Sequence, residues 1–117
     1  MKTDELKKCV TDALDDLKAV DVLDIDVHEV TSVTDIMIIA TGTSDRHAKS
    51  LASHVIDSTK TAGIKPLGVE GLDQGDWVLI DLGDVVVHIM RQEVRDFYNL
   101  EKLWSMSEVT EEGIRAQ

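Results

Sequence analysis

The residues that could do chemistry are a Gly-Thr-Ser turn, scattered carboxylates, four histidines and one cysteine. Thr41-Gly42-Thr43-Ser44 runs into a helical pattern beginning at Asp45, and a strand, a turn and a helix N-terminus can together bind phosphate. The turn has one glycine and no phosphate-loop lysine, and Asp45 puts negative charge where a phosphate would sit. A plain helix cap accounts for it. Nucleotidyl transfer would also need two or three carboxylates holding Mg²⁺ beyond the turn. Asp24-Ile25-Asp26 precedes it, and Asp81 and Asp84 stand on opposite sides of a bend. His28, His47, His54 and His88 include no HExxH motif and no i, i+4 pair, so no metal site is expected. His47 and His54 read as solvated edges of a helix, and Cys9, on an apolar helical stripe, reads as a small core residue. Ser44 and His47 lie within helical reach, but an N-cap serine is already engaged with backbone amides. These residues form no catalytic constellation, and neither an enzyme nor a cofactor is expected.

A different kind of chemistry is concentrated in one hairpin. Residues 77–82 and 85–90 flank Gly83-Asp84, a two-residue loop suited to a tight turn. Such a loop pairs 82 with 85, 80 with 87, 78 with 89 and 77 with 90. One face then holds Val78, Ile80, Leu82, Val85, Val87 and Ile89, whose gross burial is worth on the order of 10 kcal/mol before entropy. The other holds Trp77, Leu79, Asp81, Val86, His88 and Met90, with Asp84 at the tip. A helix could cover that second face. Its mixture of indole, thioether, imidazole and carboxylate also suits a docking surface, because aromatic anchors are enriched where proteins meet.

Around the hairpin the periodicity predicts the elements that must position it. Leu6, Cys9, Val10, Ala13, Leu14 and Leu17 form one stripe of an amphipathic helix over 3–19. Ile25, Val27 and Val30 alternate as a half-buried strand, and Ile36–Ala40, apolar on both parities, reads as a central strand. Ala48, Leu51, Ala52, Val55 and Ile56 make a second helix, capped by Ser44 and closed by Gly63. Lys65–Val69 reads as a strand carrying Pro66, which suits an edge or a strand start, and the last segment, Glu93 to Trp104, begins as a helix with Val94, Phe97 and Tyr98 on one side. The fold class is α/β, with a mixed sheet of about five strands flanked by helices. One domain over 1–106 and a loosely ordered tail over 107–117 are expected.

The 117 residues carry 23 acids against 12 bases, a formal charge of −11. That excludes general binding of free nucleic acid, which depends on Lys and Arg displacing counterions, and favours a basic protein partner. Residues 66–90 hold five acids and no base, although they are among the most apolar in the chain. No stretch suits a membrane span or a secretory signal, and a single cysteine gives no sign of an oxidising compartment, so a cytoplasmic location is expected.

Thr34-Asp35-Ile36-Met37, the run Ala40–His47, Val69-Glu70-Gly71, the run Gly75–His88, and Arg95, Tyr98 and Leu100–Trp104 resemble the bacterial ribosomal silencing factor family, also called Iojap. The similarity spans residues 5–105, and Asp45 departs from it where many members carry a small polar residue. The resemblance implies a nucleotidyltransferase-like outline without demonstrated transferase chemistry. It also implies binding to the fourteenth protein of the large ribosomal subunit, which blocks joining of the small subunit and represses translation when nutrients are scarce. A homodimer is implied when the protein is free. Carried onto this chain, the family's docking surface takes in Trp77, Asp81, Asp84 and His88, with Glu70 weaker; the register adds Leu79 and Met90. A nucleotide-handling enzyme built on the Thr41–Ser44 turn is the alternative. A homodimeric scaffold using the Trp77 face is a third reading.

Overall fold

The computed structural model describes residues 2–32 and 34–99. Along them run α1 (Thr3–Asp16), β1 (Val20–Asp26), β2 (Ile36–Gly42), α2 (Asp45–Thr61), β3 (Gly68–Glu70), β4 (Trp77–Asp81), β5 (Val85–Arg91) and α3 (Gln92–Tyr98). The five strands form one sheet in the order β1-β2-β5-β4-β3. Only β2 and β5 pair in parallel, since the chain passes through α2 between them; the other pairings are antiparallel. This is the mixed α/β sheet that the periodicity predicts.

The apolar pattern of each strand decides its place. All seven residues of β2 are buried, as a strand apolar on both parities requires. Its Ile36, Ile38 and Ala40 join Val78, Ile80, Val85, Val87 and Ile89 on the face that α1 and α2 cover. Its Met37 and Ile39 point the other way, into a smaller cluster with Ile25, Val27 and Met90, against which Trp77 and Val94 pack. The hairpin has the predicted register: Trp77 lies opposite Met90, Leu79 opposite His88 and Asp81 opposite Val86. The Leu82 N–H closes it on the Val85 carbonyl at 2.9 Å. The Ser44 cap is also present, its hydroxyl accepting from the His47 N–H at 3.0 Å.

Several boundaries differ from the periodicity. The first helix stops at Asp16 instead of residue 19, and Lys18 turns the chain at φ 62°. The first strand starts at Val20, because an exposed edge tolerates the acids of the 21–24 stretch; of its residues only Ile25 is buried. A bulge interrupts it between Val20 and Leu23, with Asp21 at φ 49°. Val30 sits in a turn, its N–H donating to the Val27 carbonyl. The third strand is only Gly68–Glu70, with Pro66 ahead of it. The last helix is described as far as Tyr98, with Asn99 left-handed after it. Leu100, Leu103, Trp104 and the predicted tail over 107–117 lie outside the described residues.

Candidate docking face

The two helices α1 and α2 leave the second sheet face to α3 and to the chain between β1 and β2, so the hairpin's outward residues are only partly covered. Directly opposed residues share a face, which sets Glu70, Leu79, His88 and Ile39 in one row across four strands. Trp77, Leu79, Asp81 and Val86 are half-buried, and Glu70 is exposed. Met90 is wholly buried beneath Trp77, so it forms the floor of this face and not its outer surface.

The indole is fixed on three sides. Its N–H donates to His88 Nδ1 at 2.9 Å, and the two rings lie 5.8 Å apart between centroids. Tyr98 packs against the indole at 4.8 Å, and Phe97 meets Tyr98 edge-on at 4.9 Å. The chain has only four aromatic residues besides histidine, so this one cluster collects three of them. Phe97, 80% exposed, and Tyr98, 53% exposed, carry the apolar surface outward from Trp77. His88 is 9% exposed, and burial lowers its pKa from 6.5 to about 4. The imidazole is therefore neutral at physiological pH.

Loop chemistry aims the tryptophan. Gly71 has φ 79°, and a Cβ there would lie 2.1 Å from the Trp77 carbonyl oxygen, so only glycine fits. Its carbonyl accepts from the Gly75 N–H at 3.0 Å. The Asp76 carboxylate then accepts the Trp77 N–H at 2.9 Å, while its carbonyl accepts from Arg91 N–H. From the other side Arg95, 6% exposed, anchors α3: its Nη1 donates to the Asp21 carbonyl at 2.7 Å and to Thr41 Oγ1 at 2.8 Å. That bond takes up a carbonyl in the bulge of β1.

Two shallow hollows flank Leu79 and His88. Glu70, Gly71, Gln74, Asp76 and Trp77 wall one of them. Thr31, Thr34, Met37, Asp81 and Val86 wall the other. Asp81 also accepts the Gly83 N–H at 2.9 Å, holding the turn. Asp84 goes elsewhere: its carboxylate accepts from Thr3 Oγ1 of α1 at 3.2 Å, which draws it towards the helical layer and away from Trp77.

The features behind the nucleotide alternative stand apart from one another. At the Thr41–Ser44 turn, Ser44 holds the His47 N–H, and His47 Nδ1 accepts the Thr43 N–H at 2.9 Å. Those amides, which a phosphate would use, are occupied. Asp24 pairs with Lys7 at 2.8 Å, and Lys7 lowers its pKa; Asp26 pairs with His28, which lowers its own. Among the described residues no group of three or more His, Cys, Asp or Glu could hold a metal ion.

Two expectations need correction. His47 is no solvated edge: it is half-buried and its Nε2–H donates to the Leu17 carbonyl at 2.8 Å, while His54 reaches Asp16 at 3.0 Å. Both tie α1 to α2. Cys9 is partly exposed instead of a full core residue, and burial followed by Asp12 raises its thiol pKa. The residues missed as contributors to the face are Tyr98, Phe97, Asp76 and Arg95. The scarcity of aromatics was the available signal, since two of the four are adjacent at 97 and 98.

Among the described residues no helix is long and apolar enough to cross a membrane. The profile of the family described as "Ribosomal silencing factor during starvation" matches residues 1–117. A protein of Chromobacterium violaceum named ribosomal silencing factor is 45% identical over 104 residues, covering 89% of this chain and 85% of its own. The crystal structure of a C. violaceum protein superposes with a TM-score of 0.88 at 45% identity, covering 90% of this chain and 88% of the other. The mouse protein named "Mitochondrial assembly of ribosomal large subunit protein 1" is 36% identical over 76 residues, covering 62% of this chain and 33% of its own. A profile that spans the whole chain, joined to this agreement in sequence and backbone, places the chain in the ribosomal silencing factor family.

Proposed function

We propose that this chain represses translation by docking on the large ribosomal subunit through its fourteenth protein and blocking the small subunit by bulk. The observation that carries this reading is the half-covered sheet face, where an aromatic cluster around Trp77 lies among carboxylates with no basic residue between 66 and 90. Family membership and the large-subunit assembly named for the mouse relative support the choice of particle. Trp77 and Leu79 act as apolar anchors, while Glu70 and Asp81 meet Lys and Arg of the partner. Met90 supports the indole from below, while Asp84, held by Thr3 beside α1, lies away from this face. The action is steric, not enzymatic, and takes place in the cytoplasm. The free protein is a homodimer.

Trp77→Ala should weaken pelleting with purified large subunits by about a hundredfold, the cost of a central anchor of roughly 3 kcal/mol. Asp81→Lys should abolish it by placing like charges together. Both variants should keep the far-UV circular dichroism of the native chain. If either folded variant still binds and still keeps the subunits apart, the docking assignment is wrong.

A further inference from the structure

We infer that Asp45 and Arg91 form a clasp that sets the Trp77 face from behind, so that both are positioning residues for docking through their pairing and not through contact with a partner. The inference rests on the docking reading above and adds a junction outside that face. Arg91 ends β5 where several segments meet. Its N–H donates to the Asp76 carbonyl at 3.1 Å, the next rung of the hairpin after Trp77 and Met90. On its other side it pairs with Gly42 at the end of β2. It is also the N-cap of α3, whose Tyr98 packs on the indole. One residue therefore joins the chain just before Trp77 to the helix that flanks it.

The Arg91 side chain reaches the first turn of α2. Its Nε lies 2.8 Å from Asp45 Oδ1, and its Nη1 lies 3.3 Å from Glu93 Oε2. Nε is buried and its N–H has no acceptor in line, so the contact with Asp45 is charge pairing and not a hydrogen bond. A polar group buried in this way stays in place only while the carboxylate beside it offsets the lost hydration. Without Asp45 the guanidinium turns to solvent, and the junction it closes loosens. Asp45 meets the loop through its main chain as well. Gly75, at φ 78°, passes so close that a Cβ there would lie 2.7 Å from the Asp45 carbonyl oxygen and 2.9 Å from Lys49 Cε. The loop that aims Trp77 thus leans on the same turn of α2 that holds Arg91. Asp45, which reads from the sequence only as a negative charge at a helix start, has this second task.

Binding of purified large subunits by Asp45→Ala, Arg91→Met and the double variant tests the clasp as a cycle. Methionine keeps an apolar stem in place of the arginine's. Each single change should weaken binding about threefold, the size expected of a half-exposed pair. The double variant should also lose about threefold and not about ninefold, because the second change removes nothing more. In Asp45→Ala the Arg91 amide should exchange at least about threefold faster. The Trp77 indole ¹H–¹⁵N resonance, identified by its loss in Trp77→Phe, should shift in both single variants. A carboxylate that served only the positive end of α2 would lower Tm and leave both binding and that resonance unmoved. That result, or an additive loss of about ninefold, would overturn the inference. Should Trp77→Ala bind normally, the docking reading itself fails; loss by Trp77→Ala with native binding by Asp45→Ala and Arg91→Met removes only the clasp.

Discussion

His88 is held neutral in the fold, and that couples its burial to stability. Its folded pKa of about 4 lies below the 6.5 of the free group, so the unfolded chain binds the extra proton first as pH falls. The stabilisation is complete above 6.5 and is lost progressively towards 4. From about pH 7.5 to about pH 5 the loss is about 2 kcal/mol. Urea unfolding of the native chain and of His88→Gln at the two pH values should show this difference in the native chain and its absence in the variant. Equal pH dependence in both would mean that the ring is not buried neutral. At this scale much was legible beforehand: a two-residue turn fixes which residues of the hairpin share a face, so Trp77, Asp81 and His88 emerge together. Its partner did not emerge. Trp77 and Asp81 are both diagonal neighbours of His88 on β4, so which of them it bonds depends on rotamers, and Trp77 won. His47 was misread for a related reason, because its acceptor is the Leu17 carbonyl thirty residues away.

Elements are placed by features that local periodicity reports unevenly. The central strand β2 and helix α2 were legible, since seven consecutive buried residues and a long one-sided stripe leave little choice. The edge strand β1 was not, because pairing on one side only relaxes the apolar pattern and its acids face solvent. The loop between β3 and β4 shows how an element positions Trp77 through its backbone. Gly71→Ala would put a methyl group into the Trp77 carbonyl at a left-handed backbone position. The expected loss is about 2 kcal/mol or more, a fall in Tm of roughly ten degrees for a domain this size. Because the displaced carbonyl belongs to Trp77, large-subunit binding should fall as well, even below the melting range. A Gly71→Ala protein with native Tm and native binding would show that the loop does not aim the anchor. The short helix α3 has the same dependence on one buried side chain. Arg95→Met removes the bonds to Asp21 and Thr41, and should release Tyr98 from the indole, seen as a change in tryptophan emission with the sheet's circular dichroism retained.

For the whole molecule the question is how a chain of charge −11 works on a particle rich in RNA. Like charges at long range would slow approach, unless the acids face a basic protein patch first. The distribution favours that: the five acids between Glu70 and Asp84 have no base among them, and four of them rim or support the Trp77 face or its loop. Steering of this kind acts on encounter more than on residence, because exposed charges are screened over a Debye length while buried anchors are not. The association rate with large subunits should therefore fall at least about fivefold as salt rises from about 50 to about 300 mM, with the dissociation rate changing less than about twofold. Glu70→Gln combined with Asp73→Asn should lower the low-salt association rate and flatten its salt dependence, leaving dissociation nearly unchanged. Trp77→Phe should do the reverse, speeding dissociation with the salt slope intact. Stopped-flow measurement with a labelled subunit checks all three arms. An association rate that rises with salt would mean that the protein approaches the RNA, and not a basic protein, and would remove the acidic face from the encounter.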